Sequence, residues 1–198
     1  MNYKNYQNAR DAAWRILLDC GVEQLPVDLT DICRRLGVRV RKYSDTRGLP
    51  EAALQTDGLT FYSWGKPVIL YNQGKPPARI RFTIAHELGH LVLGHVAPGQ
   101  RTTVNREPSP NDDPIETAAN QFAVRLLAPA CVLWGLDVHT PEEISRLCHI
   151  SQQAAQFRAE RMAVLYRRER FLTSPLEQQV YERFQPFIKE ARDPRRQP

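Results

Sequence analysis

The chain is 198 residues long, 42% hydrophobic and 25% charged, which suits one domain, or one domain with a small appendage, able to bury a core in water. No apolar run approaches the length that spans a bilayer, and the opening Met-Asn-Tyr-Lys-Asn-Tyr lacks the apolar region of a signal peptide. No membrane role is expected, and the expected compartment is the cytoplasm. Of the net charge of +5, residues 151–198 carry +4 and the rest +1. Attraction to an acidic partner, if any, belongs to that last quarter, although a surplus this small suits an ordinary solvated surface. The four cysteines, Cys20, Cys33, Cys131 and Cys148, are scattered with no C-x-x-C pair. They read as reduced, mostly buried thiols rather than a cysteine zinc site or a disulfide framework.

In chain order, Ala9, Ala12, Ala13, Ile16, Leu17 and Cys20 fall at helical spacing over residues 4–20, and Gly21 closes the pattern. A short helix is predicted from Asp28 to Leu36, stopped by Gly37. Val38 to Tyr43 alternates apolar and basic residues, the period of a half-buried strand. Residues 45–58 show no period. Leu59–Trp64 and Pro67–Asn72 read as a hairpin joined at Gly65-Lys66, with Pro67, which has no N–H, at the start of an edge strand. Gln73 to Ala78 forms a turn into the next helix.

That helix carries His86-Glu87-Leu88-Gly89-His90. Histidines four apart lie about 40° apart around a helix axis and one turn apart along it, so both imidazoles reach one ion. Glu87 projects from the neighbouring face, where it can reach a water rather than the ion. Zinc lowers the pKa of such a water towards about 7 and polarises a carbonyl, while the carboxylate shuttles the proton. Phe82, Ile84, Ala85, Leu88, Leu91, Val92 and Leu93 make the helix apolar on most sides, so burying two histidines and a glutamate in it without a ligand would be costly. A metal site outweighs the alternative of two core histidines beside a surface glutamate. An edge strand near such a site commonly holds an extended peptide by backbone pairing, and the hairpin is the candidate. A core hairpin that touches no ligand fits its sequence equally well. Tyr62, Tyr71 and Asn72 are possible neighbours of the cleft, but no oxyanion-stabilising side chain stands out.

A catalytic zinc needs a third protein ligand. On an unbroken helix His95 lies about 140° round from His90 and points away, and the longer H-E-x-x-H-x-x-G-x-x-H pattern would need a histidine where Val96 stands. Val96 to Asp113 reads as a loop rich in proline and polar residues. Pro114 then opens a helix through Leu127, with Ala118, Ala119, Phe122, Ala123, Leu126 and Leu127 on its buried face and Pro129 ending it. Glu116 in its first turn is the better candidate. Asn120, one turn on, shares its face and could orient a ligating imidazole. Glu107, Asp112 and Asp113 are rivals in the loop without that support.

The run R-I-R-F-T-I-A-H-E-L-G-H-L-V-L-G-H, followed 26 residues after His90 by E-T-A-A-N-Q-F-A-V-R-L-L-A-P, resembles the ImmA/IrrE family of metallo-endopeptidases over about residues 5–165. Where Ala128 precedes Pro129, the family often has methionine. The resemblance implies zinc held by His86, His90 and Glu116, with Glu87 as general base. It also implies a substrate: a repressor of helix-turn-helix type, encoded nearby, whose cleavage releases a mobile element, a prophage or a stress regulon. The competing class is an antirepressor or DNA-binding regulator that does not cut, its zinc being structural.

Beyond the site, Thr140-Pro141-Glu142-Glu143 reads as an N-cap, a first-turn proline and a capping-box glutamate, and Ser151 caps a longer helix through about Arg168. Ile144, Leu147, Ile150, Ala154, Ala155, Phe157, Met162 and Leu165 are expected inside. The pair resembles the helix-turn-helix-like segment that follows the peptidase core in the same family, with His149 where such turns often have glycine. Gln152, Gln153, Gln156 and Arg158 could face bases while Arg161, Arg167, Arg168 and Arg170 meet phosphates. Segment 158–170 nets only +3, which favours a wet helix face over direct nucleic-acid binding. A last helix is expected around Leu176–Phe184, with 194–198 frayed. The expected architecture is α+β. A zincin-like metallopeptidase domain spans 1–135, its small antiparallel sheet packed on the H-E-x-x-H helix. A helix-turn-helix-like segment occupies 136–170, and a helix with its tail 171–198.

Overall fold

A computed structural model describes residues 6–46, 48–49, 51–97, 101–103 and 113–193. The expected frayed tail and most of the 96–113 stretch lie outside the described residues. By its contacts the chain divides into two compact units, residues 1–12 with 29–123, and residues 13–28 with 124–198.

The first unit is mixed α and β. It holds the start of α1 (Tyr6–Asp19), α2 (Leu29–Arg35), β1 (Arg39–Lys42), α3 (Glu51–Leu54), β2 (Gly58–Ser63), β3 (Lys66–Tyr71), α4 (Pro77–Val92), β4 (Arg101–Thr103) and most of α5 (Pro114–Leu127). The strands form one sheet in the order β1-β3-β2-β4. β2 and β3 are the expected hairpin, closed by Ser63 opposite Lys66. Its two-residue turn is Trp64-Gly65, one position earlier than expected. Both residues have positive φ, 51° and 72°, the type I′ geometry that matches strand twist.

Two expectations about this sheet are corrected. It is not purely antiparallel, because β1 pairs in parallel with β3; the chain crosses over through α3 and β2 before β3 returns in the direction of β1. Nor does Pro67 sit on an edge strand, since β3 lies between β1 and β2. The missing N–H is tolerated because pairing with β1 begins only at Val68. A third strand-level difference is β4, which pairs with β2 inside the stretch read as a loop; three residues are too few to show a period.

Both faces of the hairpin are covered. Leu59, Val68 and Leu70 pack with Tyr43 and Ala53 on one side. On the other, Gly58 and Thr60 meet α4. Asp57, just before β2, accepts from Arg79 of α4 at 2.5 Å and pairs with Lys75 at 3.2 Å. Close approach is what Gly58 provides: a Cβ there would stand 2.4 Å from Thr83 Cγ2, 3.1 Å from the Leu70 carbonyl oxygen and 3.3 Å from Glu87 Cγ.

The second unit is helical, with the remainder of α1 and α5, then α6 (Ala130–Gly135), α7 (Pro141–Cys148), α8 (Gln152–Arg167) and α9 (Pro175–Ala191). α7 starts with the full capping box of Thr140 and Glu143, and Ser151 caps α8, both as read from sequence. His149 takes the left-handed conformation between them, φ 53°. α9 runs past the expected end and through Pro186. All four cysteines are buried thiols. Cys131 is inert as a nucleophile, because burial, helped by the nearby Glu177 charge, pushes its pKa up to about 12.

The inner face of α8 differs from expectation. Phe157 is 65% exposed, whereas Arg158 is 5% exposed and donates through Nη2 to the Ala128 carbonyl. The buried positions are Ala155, Arg158, Ala159 and Met162, one helical stripe, and Phe157 lies off it. Arg158 therefore cannot face bases from this position. Its guanidinium caps the carbonyl end of α5, where a cation is favoured. Among the described residues, no helix is long and apolar enough to cross a membrane.

Gly58→Ala is expected to lose about 1–3 kcal/mol through overpacking. Urea unfolding followed by circular dichroism measures this; a midpoint equal to that of the wild type would show that β2 and α4 are not in such close contact.

Candidate metal centre

Three side chains from two helices converge. His86 and His90 lie on the inner face of α4, 1% and 0% exposed, with their Nε2 atoms 3.0 Å apart. Glu116, in the first turn of α5, brings Oε2 to 3.2 Å from His86 Nε2 and Oε1 to 3.4 Å from His90 Nε2. Among the described residues this is the one group of histidine, cysteine and carboxylate side chains that could hold an ion. The spacing fits a small tetrahedral ion, since bonds of about 2.0–2.1 Å give ligand–ligand edges of about 3.3 Å. Two imidazole nitrogens and one carboxylate oxygen also suit a borderline metal such as zinc. Solvent reaches the group on the Glu116 flank, whose side chain is 32% exposed.

The electrostatics agree with the geometry. Burial by itself would raise the Glu116 pKa, but hydrogen bonds from His86 and His90 and their charges outweigh it and hold the carboxyl well below the usual range. Glu116 is thus an anion at neutral pH, the form that binds a cation.

α5 can come this near because of the glycine inside the pentapeptide. A Cβ on Gly89 would stand 3.1 Å from Phe122 Cδ1, 3.2 Å from the Ala119 carbonyl oxygen and 3.3 Å from Ala119 Cα. A glycine in an apolar helix is the sequence sign of such an approach, but the sequence does not name the partner.

Around the three, each histidine is held at its far nitrogen. Asn120 Oδ1 lies 2.9 Å from His86 Nδ1. His95 Nδ1 lies 3.2 Å from His90 Nδ1, which was not foreseen. The expectation that His95 points away assumed an unbroken helix. α4 instead ends at Val92; Gly94 takes φ 71°, and the His95 and Gly94 N–H groups bond back to the His90 and Leu91 carbonyls at 2.9 and 3.1 Å. This is a Schellman turn, and it folds His95 back against His90. Burial, with His90 adding to it, pulls the His95 pKa down from 6.5 to about 4, so the ring is neutral at pH 7.

Glu87 is 0% exposed. Thr60, at an inward position of β2, donates its hydroxyl to Glu87 Oε2 at 2.7 Å. Sequence reasoning missed Thr60; alternation along β2 separates it from Leu59 and Phe61, but which helix lies over that face is a tertiary fact. Of the rival acids, Asp113 is exposed and accepts from the Ile115 N–H at the start of α5, and Glu107 and Asp112 lie outside the described residues. Asn72 uses Oδ1 to accept from Gly74 in a turn.

The family model of the IrrE N-terminal-like domain, peptidase family M78, matches residues 33–168. The chain belongs to this family. The match runs from the end of α2 to the end of α8 and includes every side chain of the cluster, so the resemblance read from the two motifs holds. M78 membership makes the chain a metallopeptidase of the ImmA/IrrE kind. No curated protein matches the chain.

Equilibrium dialysis is expected to give one tightly held divalent ion per chain, tested with Zn2+, and loss of that ion in Glu116→Ala. At free zinc one hundred times the dissociation constant, binding should add about 2.7 kcal/mol to the unfolding free energy. Equal uptake by Glu116→Ala and wild type would show that the ion is held elsewhere.

Proposed function

We propose that this M78 member is a cytoplasmic, zinc-dependent endopeptidase that cleaves a helix-turn-helix transcriptional repressor encoded nearby, relieving repression of a mobile element, a prophage or a stress regulon. The observation that carries the reading is a fully buried carboxylate, Glu87, on the same helix as two histidines that meet Glu116. A site that only held an ion in place would have no use for a buried carboxylate at the position next to His86. The substrate class rests on the family resemblance, and zinc on the donor set.

His86, His90 and Glu116 would hold the metal, and solvent reaches them on the Glu116 flank. Zinc bound there would supply Lewis acidity, polarising the scissile carbonyl and making a water easier to deprotonate. Glu87 accepts that proton as the water oxygen bonds to the carbonyl carbon, then delivers it to the amine as the C–N bond breaks. Thr60 holds Oε2 of the carboxylate and so restricts its rotation. Asn120 keeps the His86 ring in one orientation.

The helices after the site support a solvated face more than a nucleic-acid one. Gln152 and Gln156 spend their amides on Glu142 and Glu160, and Arg158 is turned inward. Direct DNA binding is no part of the proposal.

With the neighbouring repressor as substrate, zinc-loaded Glu87→Gln is expected to keep its metal and lose cleavage by about 100- to 10,000-fold. Wild-type cleavage by that variant would remove the general-base role. Release of repressor from operator DNA with no fragments would turn the reading towards a non-cutting antirepressor. Thr60→Val should lower kcat about tenfold, the loss of one hydrogen bond to a charged group, with Thr60→Ser close to wild type; equal rates for all three would show that the hydroxyl does not matter.

A further inference from the structure

We infer that His95 is a positioning residue for the metal centre: as the acceptor at His90 Nδ1, it fixes the tautomer and ring angle of His90 and so sets the affinity of the site for its ion. This rests on the proposed zinc reading of His86, His90 and Glu116. The steps come from atoms already placed. His90 turns Nε2 towards His86 and Glu116, so a metal held there would take the Nε2 lone pair. A neutral imidazole that gives up that lone pair carries its proton on Nδ1, which becomes a donor. The atom facing it at 3.2 Å is His95 Nδ1, which must then accept, placing the His95 proton on Nε2.

The backbone enforces the pairing. The His95 N–H bonds to the carbonyl of His90 at 2.9 Å, so His95 is tied by main chain to the residue its ring supports. That bond needs the left-handed conformation of Gly94, φ 71°. The rings meet edge to face, with centroids 5.2 Å apart and planes at 70°, so the contact is directional rather than stacked. His95 itself is not a ligand to the same ion, because it touches the side of His90 opposite Nε2. The arrangement parallels Asn120 on His86: each imidazole has one nitrogen for the metal and the other for a fixed partner. Removing a partner of this kind typically weakens metal binding 10- to 100-fold.

The test is chelator competition for Zn2+ on the full chain, with wild type, His95→Leu and His95→Asn. Asparagine presents Oδ1 near where histidine presents Nδ1, so it retains the acceptor while changing the ring. His95→Leu should bind zinc 10- to 100-fold more weakly and alter the visible bands of the Co2+-loaded protein. His95→Asn should stay within about threefold of wild type and keep its spectrum. Thermal melts without metal check that both variants fold. Equal affinity of His95→Leu and wild type would overturn the inference, as would equal loss in both variants, which would make the contact one of shape. Failure of wild type to bind zinc would instead overturn the metal reading beneath it.

Discussion

The structure depends on one close contact, the approach of α5 to α4 at Gly89. It places Glu116 against two imidazoles whose Nε2 atoms are 3.0 Å apart in an interior almost closed to water. Two such rings with no polar partner would be a costly thing to bury. The Glu116 carboxylate meets both Nε2 atoms, and Asn120 and His95 take up the remaining ring nitrogens. The sheet's part is narrower. Through Gly58 it lets α4 lie close, and through Thr60 it fixes Glu87.

What the sequence revealed follows the range of the forces involved. Periodicity and caps are local, so α1, α2, α4, α5 and the Thr140 and Ser151 starts could be read directly. The two histidines share a face by helical arithmetic alone. Glu116 and Asn120 could be picked out because they sit one turn apart on a helix with an apolar side. The parallel pairing of β1 depends on a crossover, and the interior place of Pro67 depends on where that pairing begins. Neither is written in any window of a few residues. The direction of His95, though not its place at the helix end, was misjudged for a sharper reason. Counting 100° per residue is valid only inside a helix, and Gly94 ends this one two residues after Val92.

α8 shows the same limit in a different way. Sorting its residues by hydrophobicity puts Phe157 inside and Arg158 outside, and the structure reverses both. Its buried stripe is set by Ala155, Ala159 and Met162, and position 158 falls on it. A long cationic side chain can occupy such a position if its head finds an acceptor. The Ala128 carbonyl, beyond the last turn of α5, is that acceptor. Burial pulls the guanidinium pKa down to about 10, which still leaves it charged at pH 7. The charge is retained because it completes the end of a helix.

Two glycines around the centre are required for different physical reasons. At Gly89 the constraint is space: the backbone is helical, an alanine would suit it by propensity, and the objection comes from Phe122 and Ala119 across the interface. At Gly94 the constraint is dihedral, since φ 71° is a conformation that any residue with a Cβ adopts at a cost of about 1–2 kcal/mol. The first sets the distance from Glu116 to the imidazoles, and the second sets whether His95 turns back at all. A methyl group added at Gly89 would therefore disturb the carboxylate ligand, and one added at Gly94 would disturb the support of His90. The pentapeptide alone, lifted onto another apolar helix, would bring its two imidazoles and Gly89 but neither the Glu116 carboxylate nor the His95 support.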